Sequence, residues 1–247
     1  MKYFAKIKYL GTDFRGFQFQ PNQRTVQGEL TAACRMALGA ETTVTGCSRT
    51  DSGVHANEYC VVIESLGATV PADKLAVAMK SFLPHDISLY YAEYAPDDFH
   101  PRYSVKSKEY LYRIVNSELS NPFEYNRAWF VGRQISDVQI EMMRDAANKM
   151  VGKKDFASFM AEGSKIVDTV RCIDYITVDK YDSLIEIKVS ADGFLYNMVR
   201  IIVGTLIDVA FGRISVSDIE SIIQAHDRNA AGQTAPAQGL YLNKIVY

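Results

Sequence analysis

Apolar and polar residues alternate over residues 3–9 and 108–115, and this period of two is typical of half-buried β-strands. Six further short stretches also predict strands, over residues 42–47, 59–64, 87–94, 172–179, 184–190 and 240–247. The polar residues 180–183 separate two of these stretches and favour a hairpin turn. We therefore expect a sheet that is mostly antiparallel.

A second pattern, in which apolar residues recur every three to four positions, predicts helices between the strands. It begins at Val26, directly after Thr25, which stands where an N-cap residue is expected. A second helix is predicted to begin at Pro71, with Leu75, Met79 and Phe82 on one face. Two more are predicted over residues 138–150 and 196–211. A last helix is predicted to begin at residues 217–220, which have capping-box spacing.

These elements predict an α+β protein with helices packed against a mostly antiparallel sheet. They divide into two α+β halves of similar make-up, residues 1–103 and residues 104–247. No low-complexity linker and no short repeat separates them.

The composition is that of a globular protein, because 48% of the 247 residues are hydrophobic and 23% are charged. The chain starts with an alternating strand pattern and not with the apolar centre of a signal peptide. Its most apolar stretch, residues 198–210, is too short to span a bilayer and contains Arg200 and Asp208. The sequence therefore predicts a cytoplasmic protein that does not enter a membrane.

The four cysteines form no C-x-x-C pair, and no histidine lies at ligand spacing from them. We expect reduced thiols and no structural metal site. The net charge of −2 argues mildly against a nucleic-acid partner. Charge distribution matters more than the total, however, and basic residues gather at Arg102, Lys106, Lys108 and Arg113 and again at Lys149, Lys153, Lys154 and Lys165.

Asp51 is the first candidate for chemistry, because its loop is held between two predicted strands. The alternative is a turn aspartate that hydrogen-bonds its own backbone. His55 could pair with Asp51 as a general acid and base, or it could be a surface or core histidine. Arg200 is the second candidate, since a cation within an apolar helix needs a carboxylate partner. That partner is either Asp51 or another acidic residue.

Aromatic residues also lie beside basic and amide side chains, in a pattern that suits stacking on unpaired bases. Phe17 and its neighbours stand near Gln18 and Arg24, and Tyr110 and Tyr112 stand near Lys108. The alternative for each ring is a place in the core.

Four blocks of this sequence resemble, in order, those of the tRNA pseudouridine synthase A family. They are residues 9–18 with Arg24 and residues 26–27, residues 49–56, residues 99–104 with residues 108–112, and residues 198–204 with residues 239–242. A weaker match covers residues 155–159, so the resemblance extends over nearly the whole chain. Ser52, Pro101 and Glu109 depart from the family pattern, which affects the expected substrate preference and not the reaction.

The resemblance implies the pseudouridine synthase fold, in which two similar α+β halves share a mostly antiparallel central sheet with a cleft between them. It implies isomerisation of uridine to pseudouridine at positions 38, 39 and/or 40 of the tRNA anticodon stem-loop. The reaction needs no metal and no organic cofactor. The expected partners are tRNA and a second copy of the chain in a homodimer.

The resemblance also implies roles for single residues. Asp51 is the catalytic carboxylate, acting as nucleophile or as base, and Arg200 keeps it ionised. Tyr110 stacks on the target uracil, and Arg49 helps to hold the target nucleotide out of the base stack. The expected substrate-binding residues are Phe17, Gln18, Arg24, His55 and Tyr112.

Two rival hypotheses remain at this stage. One is a catalytically silent RNA-binding protein on the same fold. The other is a hydrolase that uses an Asp51–His55 dyad, which predicts that both residues are equally necessary for activity.

Overall fold

The computed structural model describes residues 1–247 and contains ten strands and five α-helices. The strands are β1 (Lys2–Tyr9), β2 (Thr42–Gly46), β3 (His55–Ser65), β4 (Ile87–Tyr94), β5 (Ser107–Val115), β6 (Trp129–Phe130), β7 (Gly152–Asp155), β8 (Val170–Tyr181), β9 (Leu184–Ala191) and β10 (Leu240–Val246). The helices are α1 (Val26–Leu38), α2 (Leu75–Met79), α3 (Asp137–Met150), α4 (Met198–Ala210) and α5 (Ile219–Ala225). The predicted α+β class is confirmed.

The chain folds as two compact units, one of residues 1–106 with residues 241–247 and the other of residues 107–240. The division after residue 106 lies close to the expected one after residue 103. The C-terminal residues differ from the expectation, because they join the first unit. There β10 pairs in parallel with β3, with Tyr241 opposite His55.

In the first unit the strands lie in the order β4–β1–β3–β10, and β2 also pairs with β3. β1 is antiparallel to both β3 and β4. One face of β1, formed by Tyr3, Ala5, Ile7 and Tyr9, is buried. Thr25 caps α1 as predicted, since its side chain accepts a hydrogen bond from the backbone N–H of Gly28.

In the second unit the order is β5–β9–β8–β7, and all three of these pairings are antiparallel. The predicted hairpin joins β8 to β9 through a tight turn, in which Asp182 has a φ of 57°. α3 packs against α4 and β8. Every residue of α4 except Arg200 is buried, which agrees with the predicted helix that is apolar on nearly every side.

Three local predictions need correction. Pro71 precedes a single 3₁₀ turn before the short α2, so Phe82 lies beyond the helix and is exposed. The capping box before α5 is formed by Ser215 and Asp218 and not by Ser217, because a 3₁₀ turn precedes this helix. β3 begins at His55, four residues before the predicted start, because its first residues pair with β10.

Candidate active-site loop and its surroundings

Asp51 lies in a turn between β2 and β3, and its side chain is half-buried. The turn closes where the backbone N–H of Val54 donates to the Asp51 carbonyl oxygen over 3.2 Å. Gly53 has a φ of 80°, which L side chains rarely adopt. The two rigid strands therefore hold the ends of a short turn that presents one carboxylate.

Residues 9–18, called here the clamp segment, hold the Asp51 turn on both sides. On one side the hydroxyls of Tyr9 and Thr50 lie 2.8 Å apart in a buried hydrogen bond, and Phe17 N–H donates to the Thr50 carbonyl over 3.2 Å. On the other side the Ser52 hydroxyl donates to the Phe14 carbonyl over 3.1 Å. Both chain neighbours of Asp51 are thus fixed to the same segment.

The clamp segment approaches the turn so closely that two of its positions need glycine. A β-carbon on Gly11 would lie 1.9 Å from the carbonyl oxygen of Val54. A β-carbon on Gly16 would lie 2.5 Å from the carbonyl oxygen of Thr50, and Gly16 also has a φ of 85°. These contacts explain why the first and second sequence blocks occur together, which the sequence alone did not show.

His55, which we expected to bind substrate, is fully buried at the start of β3. Its Nδ1 accepts a hydrogen bond from the Gly11 backbone N–H over 2.8 Å. Its ring stacks on that of Tyr241, with centroids 4.6 Å apart. In this structure the imidazole belongs to the protein interior beneath the turn.

Phe17 and Tyr112, two further expected substrate-binding residues, also lie in the interior. Phe17 is 3% exposed and stacks on Tyr59 with ring centroids 4.3 Å apart. Tyr112 is fully buried, and its hydroxyl donates to the Pro236 carbonyl over 2.7 Å. Burial raises the pKa of the Tyr112 hydroxyl, and the charge of Arg200 opposes that rise. Both rings are therefore buried in the protein.

Arg24, Gln18 and Arg49 differ in their surroundings. The Arg24 guanidinium forms two hydrogen bonds to the Asp86 carboxylate, at 2.8 and 3.0 Å, and lies over the Phe14 ring. These contacts make Arg24 part of the framework that supports the clamp segment. Gln18 and Arg49 are exposed, and Arg49 stands two residues before Asp51.

The second unit carries the other expected active-site residues. Tyr110 lies on β5, is 7% exposed, and meets Phe194 edge to face with centroids 5.0 Å apart. Arg200 lies in the first turn of α4 and is half-buried. Its Nε donates to the Ala235 carbonyl and its Nη1 to the Asn197 side chain, each over 2.7 Å.

One segment that was not predicted from the sequence, residues 231–235, approaches α4 beside Arg200. Its Gln233 N–H donates to the buried Asp208 carboxylate over 3.2 Å. A β-carbon on Gly204 would lie 1.7 Å from the Gln233 carbonyl oxygen. The available signal was Asp208, a carboxylate within an apolar helix, which indicates a buried polar partner.

The structure contains neither a metal-binding cluster nor a helix that could span a membrane. No group of three or more His, Cys, Asp or Glu side chains is arranged to hold a metal ion. No helix combines the length and apolar character needed to cross a membrane.

A family model described as tRNA pseudouridine synthase matches residues 5–104 and 146–247. The chain belongs to the tRNA pseudouridine synthase family. This family is one of isomerases, so its members are enzymes. Asp51 and Arg200 fall within the matched ranges, whereas Tyr110 falls between them.

Individual tRNA pseudouridine synthases resemble this chain over almost its full length. The tRNA pseudouridine synthase A of Ruminiclostridium cellulolyticum is 45% identical over 243 residues, which are 98% of this chain and 97% of the relative. That of Thermoanaerobacter sp. (strain X514) is 43% identical over 241 residues, with the same coverage. Among solved structures, that of a Cbf5-Nop10-Gar1 complex aligns with 97% of this chain and 48% of its own, at 13% identity and a TM-score of 0.38. A likeness of that size supports no conclusion about this chain.

Proposed function

We propose that this protein isomerises uridine to pseudouridine in tRNA, at positions 38, 39 and/or 40 of the anticodon stem-loop. The observation that carries the proposal is the Asp51 turn, in which both chain neighbours of a half-buried aspartate are hydrogen-bonded to the clamp segment. Family membership supplies the reaction, and the turn supplies a carboxylate held in place for it.

The reaction breaks the C–N glycosidic bond of the target uridine, rotates the uracil, and joins C5 of the base to the same ribose carbon. The proton on C5 is lost to water, N1 of the released base takes up a proton in exchange, and no other group enters or leaves. We assign Asp51 the attack on the nucleoside, as nucleophile or as base. Both routes begin with an ionised carboxylate.

Three further residues are proposed to support the reaction. Arg49 is exposed beside Asp51, so its side chain is available to fill the space that a flipped nucleotide leaves. Tyr110 is assigned to the target uracil, and Arg200 to the charge of the catalytic carboxylate, on the strength of family resemblance. Of the five expected substrate-binding residues, we retain Gln18, which is exposed on the clamp segment. Phe17, Arg24, His55 and Tyr112 are assigned to the supporting framework.

The proposed partner is tRNA, bound by a homodimer in the cytoplasm. A protein with a net charge of −2 needs local positive surface to hold a polyanion. Binding should therefore weaken steeply with salt, although the protein as a whole is slightly acidic. Light scattering of the purified protein, with and without tRNA, measures the oligomeric state.

The direct test uses tRNA transcripts that carry C5-tritiated uridine at only one of positions 38, 39 and 40. We expect tritium release from at least one transcript, no release with Asp51→Asn, and unchanged tRNA binding by that variant. Asp73→Asn is the control, because Asp73 is an exposed carboxylate of the same unit. If the wild-type protein binds all three transcripts and releases no tritium, the silent RNA-binding hypothesis replaces the proposal.

A further inference from the structure

We propose that His55 is a positioning residue for Asp51, and that it acts through the hydrogen-bond acceptor at Nδ1. This inference rests on the proposed function of the Asp51 turn. It gives His55 a task that differs both from substrate binding and from acid–base catalysis.

The surroundings of His55 fix the ring from two sides. Its Nδ1 receives the Gly11 N–H at 2.8 Å, and its face lies against the ring of Tyr241, its neighbour in register on β10. The side chain has no exposed surface. Since a backbone N–H is always a donor, Nδ1 is the unprotonated nitrogen and cannot deliver a proton to a substrate.

The Nδ1 acceptor of His55 contacts the clamp segment at Gly11. The residue is buried and lies against the Val54 carbonyl, and its own carbonyl accepts the N–H of Phe14 over 3.0 Å. Phe14 in turn accepts the hydroxyl of Ser52, the residue that follows Asp51. Continuous hydrogen bonds therefore run from His55 through Gly11 and Phe14 to the catalytic turn.

Loss of the acceptor has a defined consequence. The Gly11 N–H would remain buried without its partner, which is unfavourable enough to move the backbone towards another acceptor or water. A shift of the clamp segment would displace the Asp51 carboxylate, and a displacement of about 1 Å can slow a reaction roughly 100-fold. Because His55 has no exposed surface, the affinity for tRNA should change little.

Three substitutions of His55 distinguish the role of the Nδ1 acceptor from that of the aromatic ring. His55→Asn places an amide oxygen near the position of Nδ1 but removes the ring. His55→Gln carries its oxygen one carbon farther, near the position of Nε2. His55→Phe keeps a ring to stack on Tyr241 and offers no acceptor.

The test measures kcat and KM of the full-length protein on tRNA, with melting temperature and hydrogen exchange of the Gly11 amide. We expect kcat of His55→Asn to stay within about threefold of wild type, with slow exchange at Gly11. His55→Gln and His55→Phe should lose about tenfold or more in kcat, change KM by less than about twofold, and exchange faster at Gly11. The Asn and Gln variants suffice for the comparison if the Phe variant does not fold.

Two results overturn the inference. Equal losses of kcat in the Asn and Gln variants would show that activity does not depend on the position of the acceptor. Full activity of the Gln or Phe variant would show that no acceptor at Nδ1 is needed. Failure of the proposed function is distinct from both, because the wild-type protein itself would then release no tritium from tRNA.

Discussion

The Ser52 hydroxyl donates a hydrogen bond to the backbone carbonyl of Phe14 over 3.1 Å. The bond depends on the Ser52 hydroxyl, which an alanine at this position would lack. It joins the residue after Asp51 to the clamp segment in a place where the backbone contact from Gly53 to Phe14, at 3.4 Å, is long.

Ser52→Ala should therefore have a small effect. A partly buried side-chain hydrogen bond between neutral groups contributes about 0.5 kcal/mol to the free energy of unfolding, at the low end of the usual range. We expect kcat to fall by no more than about twofold, since the other contacts of the turn remain. Urea denaturation and tritium release measure the two effects. Ser117→Ala is the control, because its hydroxyl also donates to a backbone carbonyl, that of Leu119, but within one loop of the second unit. A loss of activity tenfold or greater would mean that Ser52 does more than hold the turn.

Gly11→Ala should disturb the turn far more strongly. The added methyl group would lie 1.9 Å from the Val54 carbonyl oxygen, so the two backbones must separate. Overpacking of this kind costs about 2 kcal/mol or more, and the displaced Asp51 turn should lose at least about tenfold in kcat. Gly132→Ala is the matched control, since a β-carbon on Gly132 would lie 3.4 Å from the nearest atoms of the Phe130 ring, which is an ordinary contact distance. Similar stability and activity of the two variants would contradict the close approach.

Arg24→Ala should lower the free energy of unfolding more than it lowers the affinity for tRNA. The side chain satisfies Asp86, whose carboxylate is buried, and its hydrogen bonds to that carboxylate raise the pKa of the guanidinium. Removing the guanidinium should cost about 2 kcal/mol in the free energy of unfolding. Arg24→Lys should recover part of this loss, because the lysine ammonium keeps the positive charge but cannot form the bidentate hydrogen bonds to the carboxylate.

A double-variant cycle with Asp86→Asn isolates the pair, measured by urea denaturation beside the Kd for tRNA. Unchanged stability of Arg24→Ala together with a tenfold weaker Kd would restore Arg24 as a substrate-binding residue.

Three of the four cysteines should be unreactive in the folded protein. Cys34, Cys47 and Cys60 are buried, and burial raises the pKa of Cys34 and Cys60 to about 12. The thiolate, which is the reactive form, is therefore scarce at pH 8 for these two residues. Cys172 is partly exposed. A thiol-specific reagent should modify about one cysteine per chain quickly and all four in denaturant, and Cys172→Ser should remove the fast phase. A fast phase that survives in Cys172→Ser would show that the first unit opens readily.

Much of the fold could be predicted from sequence because its signals are local. The alternation of β1, β4 and β5, the N-cap of α1 at Thr25 and the apolar α4 all depend on residues close together in the chain. The catalytic role of Asp51 was proposed from a resemblance over four blocks along nearly the whole chain, because the loop by itself also fitted a turn aspartate.

The tertiary structure decided which side chains surround the candidate site. Phe17 stacks on Tyr59, Arg24 pairs with Asp86, and His55 receives Gly11, and each contact joins residues more than 40 positions apart. A pattern of aromatic and basic residues predicts a binding surface and a packed interior equally well, because both use the same side chains. Long-range packing determined which of these residues are buried, and burial separates the framework of the Asp51 turn from the groups left exposed to meet a substrate.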